Sequence, residues 1–430
     1  MGKYTFYDNK SVDLEIERRL NIVVDSILKY LNNNVESILL TGGYGRGEGS
    51  VIIRNNKIIL LKDFDIAIIV NKIPDETTTS LMLEDIYKKL GSDNPALSLF
   101  KYSNFALDLR YLTINNINFP DIWFVDLKNS TVLYGKDIRP YITYNGSDIP
   151  LSSGARLLFE KITGLLGHFE YKMLYNNIDD NSKMRLIYEC MKTYVEIATV
   201  ICILYKSYIS SYSKRLEIVK MLNSEGKLEE IIRKIPDLID KIEVATRFKL
   251  SPDYSAVNDP IEFFFTTRND LITTIQYYIK YYINLDMKNW LDINRLSNSL
   301  AKVYYKPMLD AWFRNKFCIK PILLSSLLNR IYQLYTNFIY VKIIRNHLSK
   351  LYLYPLIHNG LISPSLKFFP AGLLILMSLN RDGSYDKHLL HMAISILRRL
   401  IPIYTITSWE DARQAYLRTY KYYLFPTLLK

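Results

Sequence analysis

The stretch Val35-Glu36-Ser37-Ile38-Leu39-Leu40-Thr41-Gly42-Gly43-Tyr44-Gly45-Arg46-Gly47-Glu48-Gly49 decides how the first third of this 430-residue chain is read. Val35–Leu40 is a short apolar run that ends in a glycine-rich turn, the pattern of a buried strand. Glycines at 42, 43, 45, 47 and 49 let a backbone approach a ligand closely and aim several N–H groups at one anion. Arg46 adds forked donors suited to phosphate. Downstream, Asp63-Phe64-Asp65 opens a second apolar run, Phe64–Val70. Alternate side chains of a strand share a face, so Asp63 and Asp65 project together. Two carboxylates on one face repel each other unless a cation lies between them. The pair beside a glycine turn therefore makes a hard-oxygen site suited to Mg²⁺ and phosphate.

The surroundings of this stretch alternate between two periods. Ser11–Asn32 carries Val12, Ile16, Leu20, Val23, Ile27 and Leu31 at helical spacing. Val51–Ile53 and Ile58–Leu61 flank Arg54-Asn55-Asn56-Lys57 and predict a hairpin. Pro74-Asp75 opens a helix toward Leu90. Phe105–Ile114 reads as a strand with Phe105, Leu107, Leu109 and Tyr111 on one face, which leaves Asp108 on the other. Trp123–Leu133 fits neither period. From Leu151 onward helical spacing takes over, with Ser152 expected as the cap of the first helix. Further helices are expected at 183–208, 213–223, 259–284, 294–312, 321–350, 369–379, 386–403 and 408–423. The fold class expected is α+β: an N-terminal α/β domain with a small mixed sheet over residues 1–147, then a large all-helical domain over 148–430, open to division into two sub-bundles.

Charge divides at the same place. The whole chain has 55 Lys and Arg against 43 Asp and Glu, a formal charge of +12. Residues 1–150 hold 17 basic and 19 acidic side chains, net −2, so the rest carries +14. A basic module attracts polyanions. Within it, Arg330–Tyr354 interleaves Tyr332, Tyr335, Tyr340, Lys342, Arg345 and Lys350, a mixture able to stack bases and hold phosphates. Leu334, Phe338, Val341 and Ile344 share that stretch at helical spacing and read as core.

Other classes are excluded. An apolar fraction of 49% with 23% charged residues is globular, not disordered. Cys190, Cys202 and Cys318 are too few and too scattered for a disulfide framework or a cysteine zinc site and read as buried thiols. Met1–Lys10 lacks the apolar core of a signal peptide, and Thr193–Tyr205 and Pro370–Leu379 fall short of the ~20 residues that span a bilayer. The expected setting is a reducing cytoplasm without a membrane partner. His388 and His391 lie three apart on an expected helix with no nearby carboxylate pair to complete a metal site, and Asp382-Gly383-Ser384 puts a loop between Arg381 and His388. No Lys-Ser/Thr follows the glycine loop, Glu48 stands where a dinucleotide fingerprint needs glycine, and no kinase catalytic loop follows.

Gly42-Gly43-x-Gly-Arg46-Gly47-Glu48 followed by Asp63-x-Asp65 resembles the DNA polymerase beta-type nucleotidyltransferase superfamily, in particular its minimal members, over roughly residues 10–140. The resemblance implies transfer of NMP from an NTP, ATP foremost, to an acceptor hydroxyl with release of pyrophosphate. It implies two Mg²⁺ ions, or Mn²⁺, on Asp63, Asp65 and a third carboxylate. Asp108 is the first choice for that group and Asp126 the rival. Gly42, Gly43 and Arg46 are then the nucleotide-binding residues, and Glu48 ties the turn down. Gly43 replaces the family's usual serine, and the hairpin over Val51–Leu61 lengthens the gap to Asp63. The basic helical part makes an RNA or tRNA 3′ end the leading acceptor. Nucleotidylation of a small molecule or a protein hydroxyl, and a silent NTP- or RNA-binding scaffold, are the alternatives.

Overall fold

A computed structural model describes residues 2–6, 8–54, 57–61, 63–91, 107–176, 178–285, 293–317, 325–347, 362–400 and 405–424. Phe105, Cys318, Lys350 and His358 lie outside the described residues. The fold is mixed α+β, with a four-stranded mixed sheet and a separate two-stranded sheet. The chain forms two compact units. The first comprises Met1–Ile149, Lys206–Ile218 and Glu243–Asp253; the second comprises Pro150–Tyr205, Val219–Ile242 and Tyr254–Lys430.

In the first unit, α1 (Lys10–Leu31) starts at Asn9, whose side chain accepts the Ser11 and Val12 N–H groups. Strand β1 (Val35–Leu40) runs into α2, a single helical turn at Gly42–Gly45. β2 (Val51–Arg54) and β3 (Lys57–Leu60) pair antiparallel as the expected hairpin. β4 (Phe64–Val70) is followed by α3 (Glu76–Leu90), capped by Asp75 at its start and closed by Gly91 in the left-handed conformation. β5 (Leu107–Leu112), α4 (Ile122–Leu127) and β6 (Thr131–Gly135) complete the unit's N-terminal part. The sheet order is β5-β4-β1-β6, with β4 and β5 parallel and the other pairs antiparallel. The unclassified segment Trp123–Leu133 holds the end of a short helix and the start of an edge strand, each too brief to show its period.

The two faces of this sheet differ. Ile38 and Leu40 of β1 and Phe64, Ile66 and Ile68 of β4 pack with the apolar stripes of α1 and α3. Leu107, Leu109 and Tyr111 join that layer, as their alternation requires. Leu39, Ala67 and Ile69 face the other way, onto a smaller cluster with Ile117, Leu127, Ile138 and Ile142. Parity puts Asp65, Asp108 and Arg110 on this second face.

The second unit is built on α5 (Leu151–His168), α6 (Asp180–Leu204) and α10 (Pro260–Ile283). Between them lie α7 (Tyr212–Ser224), α8 (Glu229–Lys234) and α9 (Leu238–Leu250), of which α7 and α9 each contribute residues to both units. α11 (Ile293–Val303), α12 (Lys306–Phe317), α13 (Ser325–His347), α14 (Pro364–Ser378), α15 (Lys387–Leu400) and α16 (Trp409–Leu424) follow. Stacked rings fill the interior: Phe169 on Phe264 and Phe368 on Tyr416, each with centroids 4.1 Å apart. Cys190 and Cys202 are buried free thiols. Among the described residues, no helix is long and apolar enough to cross a membrane.

Several expectations are corrected. α5 is capped by Pro150, and Ser152 lies inside the first turn, because proline pre-sets the backbone that enters a helix. The helix expected over 294–312 is two, since Pro307 lacks the N–H that an interior position needs and sits instead in a new first turn. Leu334 and Phe338, read as core, are exposed. The side chains of Val341 and Ile344 lie outside the described residues. Apart from these corrections, His388 and His391 are exposed, and Arg381 pairs with Glu262 at 2.5 Å.

Lys161 on α5 and Glu189 on α6 form a buried ion pair at 2.7 Å, and Gly164 leaves the space that the carboxylate occupies. Breaking a buried pair strands the surviving charge. Lys161→Met or Glu189→Leu alone is therefore expected to cost about 3–5 kcal/mol, and the double replacement less than either single one. Urea unfolding of the three variants checks the order.

Candidate functional site

The glycine turn is held to β4 by the backbone. Thr41 N–H donates to the Asp65 carbonyl at 2.7 Å, so the turn starts beside the carboxylate-bearing end of that strand. Gly42 has φ +64°, and a Cβ there would fall 2.0 Å from Asp65 Oδ2. Only glycine meets both demands: the left-handed backbone and the room for the carboxylate. Gly45 is constrained by contact instead, since its Cβ would meet the Leu40 carbonyl at 2.1 Å. The loop is closed by Glu48 N–H donating to the Gly43 carbonyl at 2.8 Å. Gly42 and Gly43 open a helical turn, so their N–H groups stand outside its hydrogen-bond ladder.

Register supplies the acidic partner. β4 and β5 run parallel with Asp65 opposite Asp108, and Ala67 opposite Arg110. Facing residues of adjacent strands sit about 5 Å apart and point to the same side. Asp63 immediately precedes the first residue of β4, outside the strand. Among the described residues, no three His, Cys, Asp or Glu side chains gather closely enough to hold a metal ion by themselves. The geometry is thus an adjacent pair, Asp65 and Asp108, with Asp63 just before the strand. Tyr87 of α3 lies at the same strand ends. Its hydroxyl accepts the Leu107 N–H at 3.2 Å, and burial pushes it up to about 12, with the Leu107 N–H opposing and the Asp63 charge adding.

Asp126, the rival third carboxylate, is engaged elsewhere. It accepts from the Tyr208 hydroxyl at 2.7 Å and from Arg46 Nη1 at 3.3 Å. Arg46 itself is a correction to the reading that placed it on phosphate. Its side chain is 6% exposed, 3.7 Å from Glu48 and 5.4 Å from the centre of the Tyr212 ring. Burial opposes its charge, but Asp126, then Tyr212, Tyr208 and Glu48, outweigh that and hold the guanidinium above its ordinary range. Glu48 does tie the turn down. Its carboxylate accepts from the Ser211 hydroxyl at 2.8 Å and from the Tyr212 N–H at 3.0 Å, at the start of α7, where negative charge is favoured.

The sequence reading passed over Arg110. It shares the face of Asp108, bonds that carboxylate from Nη2 at 3.3 Å and lies over the Trp123 ring at 4.8 Å. Its side chain is 48% exposed, against 6% for Arg46. The period-2 pattern of Leu107-Asp108-Leu109-Arg110 already carried that signal.

Compared with known protein families and with curated proteins, the sequence matches no family model and no curated relative.

Removing Arg46 takes the counter-ion from the buried Glu48 and the half-buried Asp126. Arg46→Met is expected to cost about 3 kcal/mol or more and to lower the melting temperature by roughly 6 °C or more. Thermal melting followed by circular dichroism checks this; an unchanged melting temperature would show that the pair contributes nothing.

Proposed function

We propose that the first unit is a Mg²⁺-dependent nucleotidyltransferase, moving NMP from an NTP, with ATP foremost, to the hydroxyl of an acceptor, with pyrophosphate as the leaving group. The observation that supports it best is the register that sets Asp65 against Asp108 beside the glycine turn. An in-register acidic pair on adjacent strands is electrostatically costly and is relieved by a bound cation. Mg²⁺ suits such a pair, because it takes one or two carboxylates and completes its shell with water and substrate phosphate oxygens. When bound, the metal supplies charge neutralisation at the phosphates and a lowered pKa for the attacking hydroxyl.

The chain's own residues divide the remaining work. Asp65 and Asp108 hold the metal, and Asp63 holds a second ion or takes the acceptor proton. Gly42 and Gly43 present N–H groups to the β- and γ-phosphates. Arg110 provides the charge that the sequence reading had given to Arg46, and swings from Asp108 to the triphosphate when nucleotide enters. Tyr87 ties the start of β5 to α3. The acceptor is proposed to be an RNA or tRNA 3′ end, a choice supported by the +14 charge beyond residue 150.

Transfer of label from α-³²P ATP to total RNA or tRNA tests the reading. Asp63→Ala with Asp65→Ala is expected to lower transfer by roughly 10³-fold or more with the melting temperature kept; undiminished transfer sinks the assignment. Arg110→Ala is expected to raise KM for the NTP about tenfold or more with a smaller effect on kcat. Binding of RNA should weaken steeply as salt is added, and salt-insensitive binding counts against a polyanionic acceptor.

A further inference from the structure

In the second unit, α13 carries its polar side inward. Asn329, Gln333, Asn337 and Tyr340 are each 3% exposed or less and make up its buried face. Asn329 Nδ2 and Gln333 Nε2 both donate to the Ala301 carbonyl in the last turn of α11, at 2.7 and 2.6 Å. Asn337 Nδ2 donates to the Ile362 carbonyl at 2.9 Å, and the Tyr340 hydroxyl to the Leu400 carbonyl at 3.2 Å. Gln333 Oε1 in turn accepts the Ser363 N–H at 3.3 Å. Rotating the helix to hide its apolar side would leave these buried donors and acceptors unmet, at about 1–3 kcal/mol each. The orientation is fixed by hydrogen bonds.

The outward side is consequently apolar. Leu327, Ile331, Leu334 and Phe338 are 43–63% exposed, and their spacing of four, three and four residues is that of a helix-packing seam. Tyr335 lies beside them, also exposed. The neighbouring α12, packed on α13, adds exposed Met308 and Trp312 one turn apart. Contiguous apolar surface of this kind marks an interaction site.

Charge selects the occupant. Lys306, Arg314, Lys316, Arg330 and Lys342 on these two helices are all exposed. α13 has no Asp or Glu, and the one carboxylate of α12, Asp310, is partly buried. A second copy of the chain would set cation against cation. Nucleic acid would use the aromatic rings and the cations but gains little from Leu327, Ile331 and Leu334. A linear seam of four apolar positions flanked by cations is complementary to a helix of opposite charge.

We propose that α12 and α13 form the docking surface for an acidic amphipathic helix of a partner protein, whose apolar stripe fills the Leu327–Phe338 seam and whose Asp and Glu side chains meet the flanking cations.

The test uses the full-length chain and a fluorescein-labelled three-heptad peptide with Leu at the two core positions and Glu at the flanking ones, followed by anisotropy. Expected are saturable binding, weakening with salt, no binding of the same peptide with Lys for Glu, and an affinity loss of about tenfold or more in Ile331→Glu and in Leu334→Glu. Both positions are exposed, so melting temperatures should stay at the wild-type value. Absence of binding, or binding equal in the variants, overturns the proposal. So does transfer of the same residue dependence to poly(U) RNA, to phosphatidylserine vesicles, or to self-association in light scattering.

Discussion

The Arg46 guanidinium is the tie on which the first unit is strung. It sits on the glycine loop, reaches Asp126 at the end of α4, and lies over the Tyr212 ring at the start of α7. Two more buried cations, Arg215 and Lys249, flank the same ring at 4.5 and 5.4 Å. Lys249 also donates its ammonium proton to Ser50 Oγ, next to the loop's last glycine. A buried cation with anions on two sides is costly to dislodge, so the loop keeps one course from Leu40 to Val51. That fixed course adds to the Thr41–Asp65 backbone bond that holds Gly42 against Asp65.

The two faces of β4 change character from one residue to the next: Phe64 is in the larger core, Asp63 and Asp65 are not, and Ala67 and Ile69 pack into the smaller cluster. The parallel partner repeats this alternation in register, so no loop has to be trained to bring the carboxylates together. The pairing that builds the sheet also sets Asp65 against Asp108. Arg110, two residues along, inherits its place from the same alternation.

Much of this was legible in the sequence where periods are clean. The α1 stripe, the β2–β3 hairpin, the Asp75 cap and the parity of Asp108 all follow from spacing and from single strong residues. Arg46 was misread because the groups that bury it arrive from residues 208–215, far along the chain, and spacing is blind to such meetings. α8 and α9 were missed because α8 is short and the pair is interrupted by Pro236. α13 was misread for a different reason. Its apolar residues have a core-like period although they are exposed, and only the amides of Asn329, Gln333 and Asn337 reveal which side faces in.

One consequence concerns the order of events during synthesis. The interior of the first unit needs Tyr208, Ser211, Tyr212 and Lys249, which belong to segments 206–218 and 243–253. Translation proceeds from the N-terminus, so the sheet and α1 can assemble early while Glu48 and Arg46 wait as unburied charges. More than half of the chain must emerge before those charges are enclosed. The unit that begins first is therefore completed late, and a ribosome stalled before residue 253 carries an open sheet rather than a finished unit.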